Sequence, residues 1–397
     1  MLQPAASDNR IVLGDPVPPF SAPLVTGGSF DLHVSAGRWV ALSFLGSPEN
    51  PRAMLEIAEL VRESGSFNED HLVVGCVFTA PPADIESLKA IAGSTLFFLA
   101  DYDGAISRAY GAHSMPRTVV LDPMQRAVAD IAWDIRSGHA ETVRNVLRSL
   151  PAVDDSAGVP MSAPALIVPR VFSFELCDFL VQFYQQQGGV ESGFQYDIDG
   201  KTATLSDFRL KRRRDVAVAI PEVRDLVRGQ IVRRLVPAIE RYFQFKATRM
   251  DRCIVACYDS ADGGHFHRHR DNVNAAAQHR RFAVSMNLNK DFDGCDLVFP
   301  EFGRKAYRPP EGGAIVFSCG ALHQVTPVTR GRRYAFLAFL YGEDDAERRE
   351  ANNARLHAGE THYSGGNDRL FPEAARDNGN GDPVRLAAAD AGELVPG

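Results

Sequence analysis

Across residues 281–289 the apolar Phe282, Val284, Met286 and Leu288 alternate with Arg281, Ala283, Ser285, Asn287 and Asn289. A period of two puts one set on each side of an extended chain, so the pattern predicts a half-buried strand. Cys295, Leu297 and Phe299 repeat the period, and two uninterrupted apolar runs, 313–319 and 333–342, predict strands covered on both faces. Short strands of this kind, punctuated by Gly and Pro, predict a jelly roll. Ahead of them the spacing becomes helical. Val223, Leu226, Val227, Ile231, Leu235, Ile239 and Tyr242 share one helix face over residues 221–245, with Pro237 a predicted kink. Such a helix would brace the outside of a barrel.

The first third follows another rhythm. Strand-like runs at 39–45, 71–78, 96–100 and 117–122 alternate with helical stretches, the order expected of an α/β sandwich. Residues 149–165 are small, polar and Pro-containing, the composition of a linker. With 397 residues, two or three domains are expected. The predicted division is an α/β domain at 1–152, a linker at 153–164, a β domain at 165–345 and a polar tail at 346–397 that opens on a helix or lid.

Candidate chemistry concentrates in the β domain. Among 11 histidines, His269 alone has an Asp two positions on. On a strand, His269 and Asp271 face one side and Arg270 the other. A distant His323, ten residues before Arg333, completes two imidazoles and a carboxylate, the facial set of non-haem Fe(II) sites that leaves positions open. Arg333, on the strand after a turn at Gly331, offers a planar fork that can clasp a carboxylate. His265 and His267 share the parity of His269 and are read as residues at the site mouth; Arg330 and Arg332 are read as solvated turn charges.

From residue 163 to 341, including the runs around Tyr258, His269 to Asp271 and His323 to Arg333, the sequence resembles the prolyl-hydroxylase-like branch of the Fe(II)/2-oxoglutarate-dependent dioxygenases. The resemblance implies a double-stranded β-helix with supporting helices, iron at His269, Asp271 and His323, and 2-oxoglutarate held by Arg333 and Tyr258. It implies O2 as co-reactant, ascorbate as a candidate reductant, and hydroxylation of a peptide, protein residue or small metabolite with release of succinate and CO2. Asp271 at the carboxylate position points to hydroxylation over halogenation. Where the family commonly has Gly-Gly-Glu-Leu, this chain has Gly294, Cys295, Asp296 and Leu297, so a differently shaped hairpin is expected. A non-catalytic cupin-like or redoxin binding module is the alternative.

Residues 11–150 resemble the peroxiredoxin branch of the thioredoxin superfamily, with Met115-Pro116 where that superfamily keeps a cis-proline loop. The peroxidatic Cys expected within residues 46–60 is missing, and Cys76 lies in an apolar strand, where a thiol is usually inert. The domain is therefore expected to be a redox-dead scaffold for substrate docking or self-association through a homo-oligomer.

Composition adds bounds. Six Cys without a regular framework suit a reducing compartment; Cys253 and Cys257 are expected on one strand near the site, as small core residues. No stretch approaches the length of a membrane span, and the first residues lack the apolar core of a signal peptide, so a cytoplasmic protein without a membrane partner is expected. A net charge of −7 argues against general nucleic-acid binding. The basic run 209–215 is the exception, read as a solvated surface or, alternatively, a substrate entrance.

Overall fold

A computed structural model describes residues 11–48, 69–113, 115–133, 138–198, 201–356, 363 and 368–371. The stretch 49–60, most of the expected peroxidatic loop and helix, lies outside the described residues, as does the end of the tail from 372 onward.

The N-terminal domain is built on a five-stranded mixed sheet of β1 (Trp39–Gly46), β2 (Leu72–Phe78), β3 (Leu96–Ala100), β4 (Arg117–Leu121) and β5 (Ala127–Ala132). Their order is β3-β2-β1-β4-β5, with β1, β2 and β3 parallel and β4 and β5 antiparallel. Every residue of β2 is buried, since α1 (Ile85–Ile91) and α2 (His139–Ser149) accompany a sheet with a core on each face. Cys76 sits at the centre of this layer, as expected. No described peptide bond is cis, so Met115-Pro116 is trans, against the expectation from the resemblance.

In the C-terminal domain two antiparallel sheets face each other. The strands of these two sheets are β6 (Ala165–Val168), β7 (Val190–Glu191), β8 (Lys211–Arg212), β9 (Arg214–Ala217), β10 (Arg249–Asp259), β11 (His265–His269), β12 (Phe282–Asn287), β13 (Phe292–Gly294), β14 (Leu297–Val298), β15 (Ala306–Tyr307), β16 (Ala314–Ser318), β17 (His323–Val325) and β18 (Val328–Tyr341). The larger sheet runs β6-β16-β12-β18-β10-β9-β7, with β13 beside β18; the smaller runs β8-β11-β17-β14-β15. Between them lies a core holding Tyr258, Ile315, Phe317, Leu297, Phe299 and Val325.

The outer face of the larger sheet is covered by α3 (Phe174–Gln187), α4 (Pro221–Gln230) and α5 (Val236–Phe243). The predicted kink is real: Ile231–Leu235, just before Pro237, is a π-helical turn between α4 and α5. Val223, Val227, Ile231, Leu235 and Ile239 are buried, but Leu226 and Tyr242 are exposed, so the buried stripe is narrower than expected. Strand β12 also departs from expectation. It is buried on both sides, because Val284 and Met286 meet the helices while Ala283, Ser285 and Asn287 point between the sheets. The polar positions line an interior, not a solvent face.

Cys253 and Cys257 lie on the helix-facing side of β10, away from the interior, and burial raises their thiols to about 12 and about 11. Alternation along the strand thus removes them from the vicinity of the site. None of the six cysteines forms a disulfide. The expected linker is tied at both ends: Val153 packs in the N-terminal core and the Ala163 N–H donates to the Tyr307 hydroxyl at 2.8 Å. The polar tail opens as α6 (Glu343–Ala351), and Asp368 returns to accept from Arg249 at 3.0 Å.

Candidate metal and carboxylate site

Strand β11 pairs with β17 so that His269 stands opposite His323. A register shift between Phe266 and His269 marks a bulge, and just past it the Asp271 N–H donates to Cys319 O at 2.9 Å, fixing the carboxylate beside both imidazoles. The donor atoms of His269, Asp271 and His323 all lie within 4.8 Å of one another. Asp271 Oδ1 is 3.5 Å from His269 Nε2 and Oδ2 is 3.4 Å from His323 Nε2.

Tautomers follow from the second nitrogen of each ring. His269 Nδ1 lies 2.7 Å from His267 O and His323 Nδ1 lies 3.0 Å from Ala321 O. A carbonyl only accepts, so Nδ1 is the donor of each ring in these contacts and Nε2 is the atom turned toward Asp271. Burial, then the neighbouring His269, lowers His323 to about 4, which keeps that ring neutral near pH 7. Burial alone would raise the Asp271 carboxyl, but His323, His269 and Arg280 outweigh it and hold it low. One carboxylate and two imidazole nitrogens converging from a buried shell form a donor set suited to Fe(II). The Phe266 ring stacks on His269 at 3.5 Å and Phe317 packs edge-on to His323 at 4.7 Å, limiting how either imidazole can turn.

Arg333 is buried on β18, facing the same interior. Its Nε donates to Asn287 Oδ1 at 2.8 Å and Nη2 to Ser285 Oγ at 2.8 Å, while Nη1 lies 4.0 Å from Cys295 Sγ. Among the described residues no carboxylate pairs with this guanidinium; the two neutral acceptors orient the fork and leave it a charge to satisfy. The Tyr258 ring lies 5.7 Å from the Arg333 guanidinium, and its hydroxyl accepts from Arg213 at 3.5 Å. Arg213 is itself held by Asp215 through two hydrogen bonds of 2.7 Å.

Cys295 occupies a left-handed conformation at φ +58°, next to Gly294 at +71°, so the hairpin keeps a turn that glycine would adopt more easily. His265 is engaged by two backbone carbonyls, Gly263 O at 2.7 Å and Arg209 O at 3.1 Å, and does not join the donor cluster. Arg330 and Arg332 are exposed and paired with Asp293 and Asp259.

The basic run is a solvated surface only in part: Arg209 and Arg214 are exposed. Lys211 and Arg213 are buried, since β8 pairs with the His-bearing β11 and draws them inward. Lys211 donates to Ser192 Oγ at 2.7 Å and Gly193 O at 2.6 Å, and burial, then Arg213, pushes its pKa well down. Ser285, Asn287 and Phe266 carry much of the site's geometry, yet the sequence reading passed over them. The signal was present in β12, whose polar positions are small and uncharged, unlike a water-facing row.

Comparison with known proteins bears on both domains. Residues 253–341 match the 2OG-Fe(II) oxygenase superfamily, and residues 13–129 match the AhpC/TSA family. A PKHD-type hydroxylase of Synechococcus sp. (strain JA-2-3B'a(2-13)) is 27% identical over 133 residues, 30% of this chain and 58% of that protein. A PKHD-type hydroxylase of Paracoccus denitrificans (strain Pd 1222) is 34% identical over 152 residues, 35% of this chain and 64% of its own. This chain thus spans a little over half the length of these relatives. Among solved structures, the viral collagen prolyl hydroxylase of Paramecium bursaria Chlorella virus-1 aligns at 15% identity and a TM-score of 0.35, covering 44% of this chain and 94% of its own.

Proposed function

We propose that this chain, which carries a 2OG-Fe(II) oxygenase domain joined to an AhpC/TSA-type redoxin domain, is a 2-oxoglutarate-dependent dioxygenase that hydroxylates an unactivated C–H bond. The carrying observation is the three-donor cluster facing the same interior as a buried Arg333 oriented by Asn287 and Ser285. In this reading the two facing sheets are a double-stranded β-helix, with His269, Asp271 and His323 as the metal ligands. Fe(II) bound there, with 2-oxoglutarate and O2, supplies oxidative decarboxylation to succinate and CO2 coupled to hydroxylation of the substrate.

The remaining work belongs to the protein's own groups. The backbone carbonyls of His267 and Ala321 hold the Nδ1 protons, so both imidazoles offer Nε2 inward. Arg333 receives the far carboxylate of 2-oxoglutarate, and the Tyr258 hydroxyl, beside Arg213, adds a hydrogen bond to it. Leu297, Phe299 and Phe317 make the interior apolar and keep bulk water from the reacting centre.

A peptide or protein residue, as in prolyl hydroxylation, is the substrate class this reading favours, with a small metabolite as the other. Ascorbate is the proposed reductant and a reducing, cytoplasmic compartment the proposed workplace, in keeping with six cysteines outside disulfides. No helix among the described residues is long and apolar enough to cross a membrane.

The test is succinate formation from 2-oxoglutarate by Asp271→Ala and His269→Ala. Both variants are expected to fall to the buffer blank; either one turning over at the wild-type rate would show that the ligands are misassigned.

A further inference from the structure

Glu301 touches neither the donor cluster nor Arg333, yet its carboxylate ties together the two strands that carry the cluster. It follows β14 on the turn Pro300–Phe302. Oε1 accepts from Arg270 Nη2 at 2.9 Å, and Oε2 accepts from Arg270 Nη1 at 3.0 Å and from the Leu322 N–H at 2.8 Å. Arg270 stands between His269 and Asp271, and Leu322 immediately precedes His323. One carboxylate therefore holds the Arg270 side chain, which stems from between His269 and Asp271, and the Leu322 backbone beside His323. Arg270 also donates to Gly320 O, so the fork spans from the His269 strand to the approach of His323. Both members are largely buried, with side chains 14% and 17% exposed, where a bidentate pair holds geometry well.

The turn bearing Glu301 is in turn wedged against the N-terminal domain and the segment that follows it. Gly37, at φ +78°, approaches so closely that a Cβ there would lie 2.2 Å from Pro300 Cβ. On the other side Asp154 accepts from the Arg304 N–H at 2.8 Å and from Arg304 Nε at 3.0 Å, and a Cβ on Gly303 would meet Asp154 Oδ1 at 2.8 Å. The Arg270 fork reaches His33 O at 3.5 Å, and Arg268, on the other flank of His269, donates to Asp70 at 2.7 Å.

We propose that Glu301 is a positioning residue for the metal triad and that the redoxin domain is its brace, so that this domain serves to preorganise the iron site. The proposal rests on the reading of His269, Asp271 and His323 as metal ligands. Groups outside the ligand set that orient the ligands typically change metal affinity by about 10–100-fold when removed. The chain from Gly37 through Pro300 and Glu301 to Arg270 and Leu322 is a physical path by which one domain sets the other's geometry.

The experiment is anaerobic titration of the full-length protein with Co(II), following the visible ligand-field band and the dissociation constant. Glu301→Gln is isosteric, keeps an acceptor for Leu322 and loses the charged fork to Arg270. It is expected to weaken Co(II) binding about ten-fold or more and to alter the band. Gly37→Ala, in the N-terminal domain where the added Cβ would press on Pro300, is expected to act in the same direction. Arg330→Ala, at an exposed residue paired with Asp293, should bind Co(II) as the wild type does. A purely structural role would lower the melting temperature while leaving affinity and band unchanged, and that result overturns the proposal. If Glu301→Gln does not fold, Arg270→Lys, which keeps one charged contact, answers the same question by the same readout. Wild-type protein that fails to bind Co(II) would overturn the ligand assignment itself, a failure distinct from equal binding by wild type and variants.

Discussion

Arg333 spends two of its N–H donors on Asn287 and Ser285, both on β12, and keeps the rest of its fork for an incoming carboxylate. Those two partners decide where the guanidinium points, and their loss leaves a buried cation free to swing. Asn287→Ala is therefore expected to raise the KM for 2-oxoglutarate about ten-fold, the cost of one hydrogen bond to a charged group, while leaving Co(II) affinity unchanged. Steady-state kinetics beside a metal titration checks this; weaker metal binding with an unaltered KM would contradict it. At this scale the sequence was legible for residues whose type is chemically singular. A His with Asp two positions on and a distant His with an Arg ten residues later stand out in a linear reading. Ser285 and Asn287 do not, because a polar residue in a strand reads as water-facing until the opposite sheet is known to cover it, and Glu301 does not because its partners Arg270 and Leu322 are distant in sequence.

Strand β10 carries the next scale. Its register shifts between Asp251 and Ile254, and Arg252 adopts φ +50° at the bulge. Asp251 there accepts from Arg349 of α6 at 2.7 Å, from Arg280 at 3.3 Å and from His279 at 3.4 Å, joining the larger sheet to α6. Burial alone would raise its carboxyl, but the His279 hydrogen bond, Arg280 and Arg349 more than offset this and hold it well below its ordinary value. A depressed folded-state pKa gives stability that is complete above the unfolded carboxylate value of about 4 and is lost as pH falls below it. Asp251→Asn is expected to destabilise the protein by about 3 kcal/mol at pH 7, since removing one partner strands buried cations, and to flatten the acid limb of the stability curve. Denaturant unfolding at pH 7 and pH 3 measures both; an unchanged acid limb would contradict the account. The elements themselves were largely readable from periodicity, including the kink before Pro237. What escaped was tertiary: the exposure of Leu226 and Tyr242, and the inward draw of Lys211 and Arg213 by pairing of β8 with β11.

At the scale of the whole molecule, two domains that look independent in sequence meet at the back of the proposed iron strand. Arg268 and Arg270 flank His269 and point away from the donor cluster, as alternation on a strand requires, and both reach the N-terminal domain. The redoxin fold thus has a structural use that does not depend on peroxide chemistry, and the sequence could not disclose it because it lies in the packing of distant segments. In the proposed function, metal donors and carboxylate clamp form one site for Fe(II) and 2-oxoglutarate. The most direct test is anaerobic addition of Fe(II) and 2-oxoglutarate to the metal-free full-length protein, following the visible charge-transfer band of a chelated 2-oxo acid, then admission of O2 and assay of succinate. A band is expected in the wild type, its loss or large weakening in Arg333→Ala at the same 2-oxoglutarate concentration, and succinate after O2. Neither band nor succinate in the wild type would contradict the proposed function.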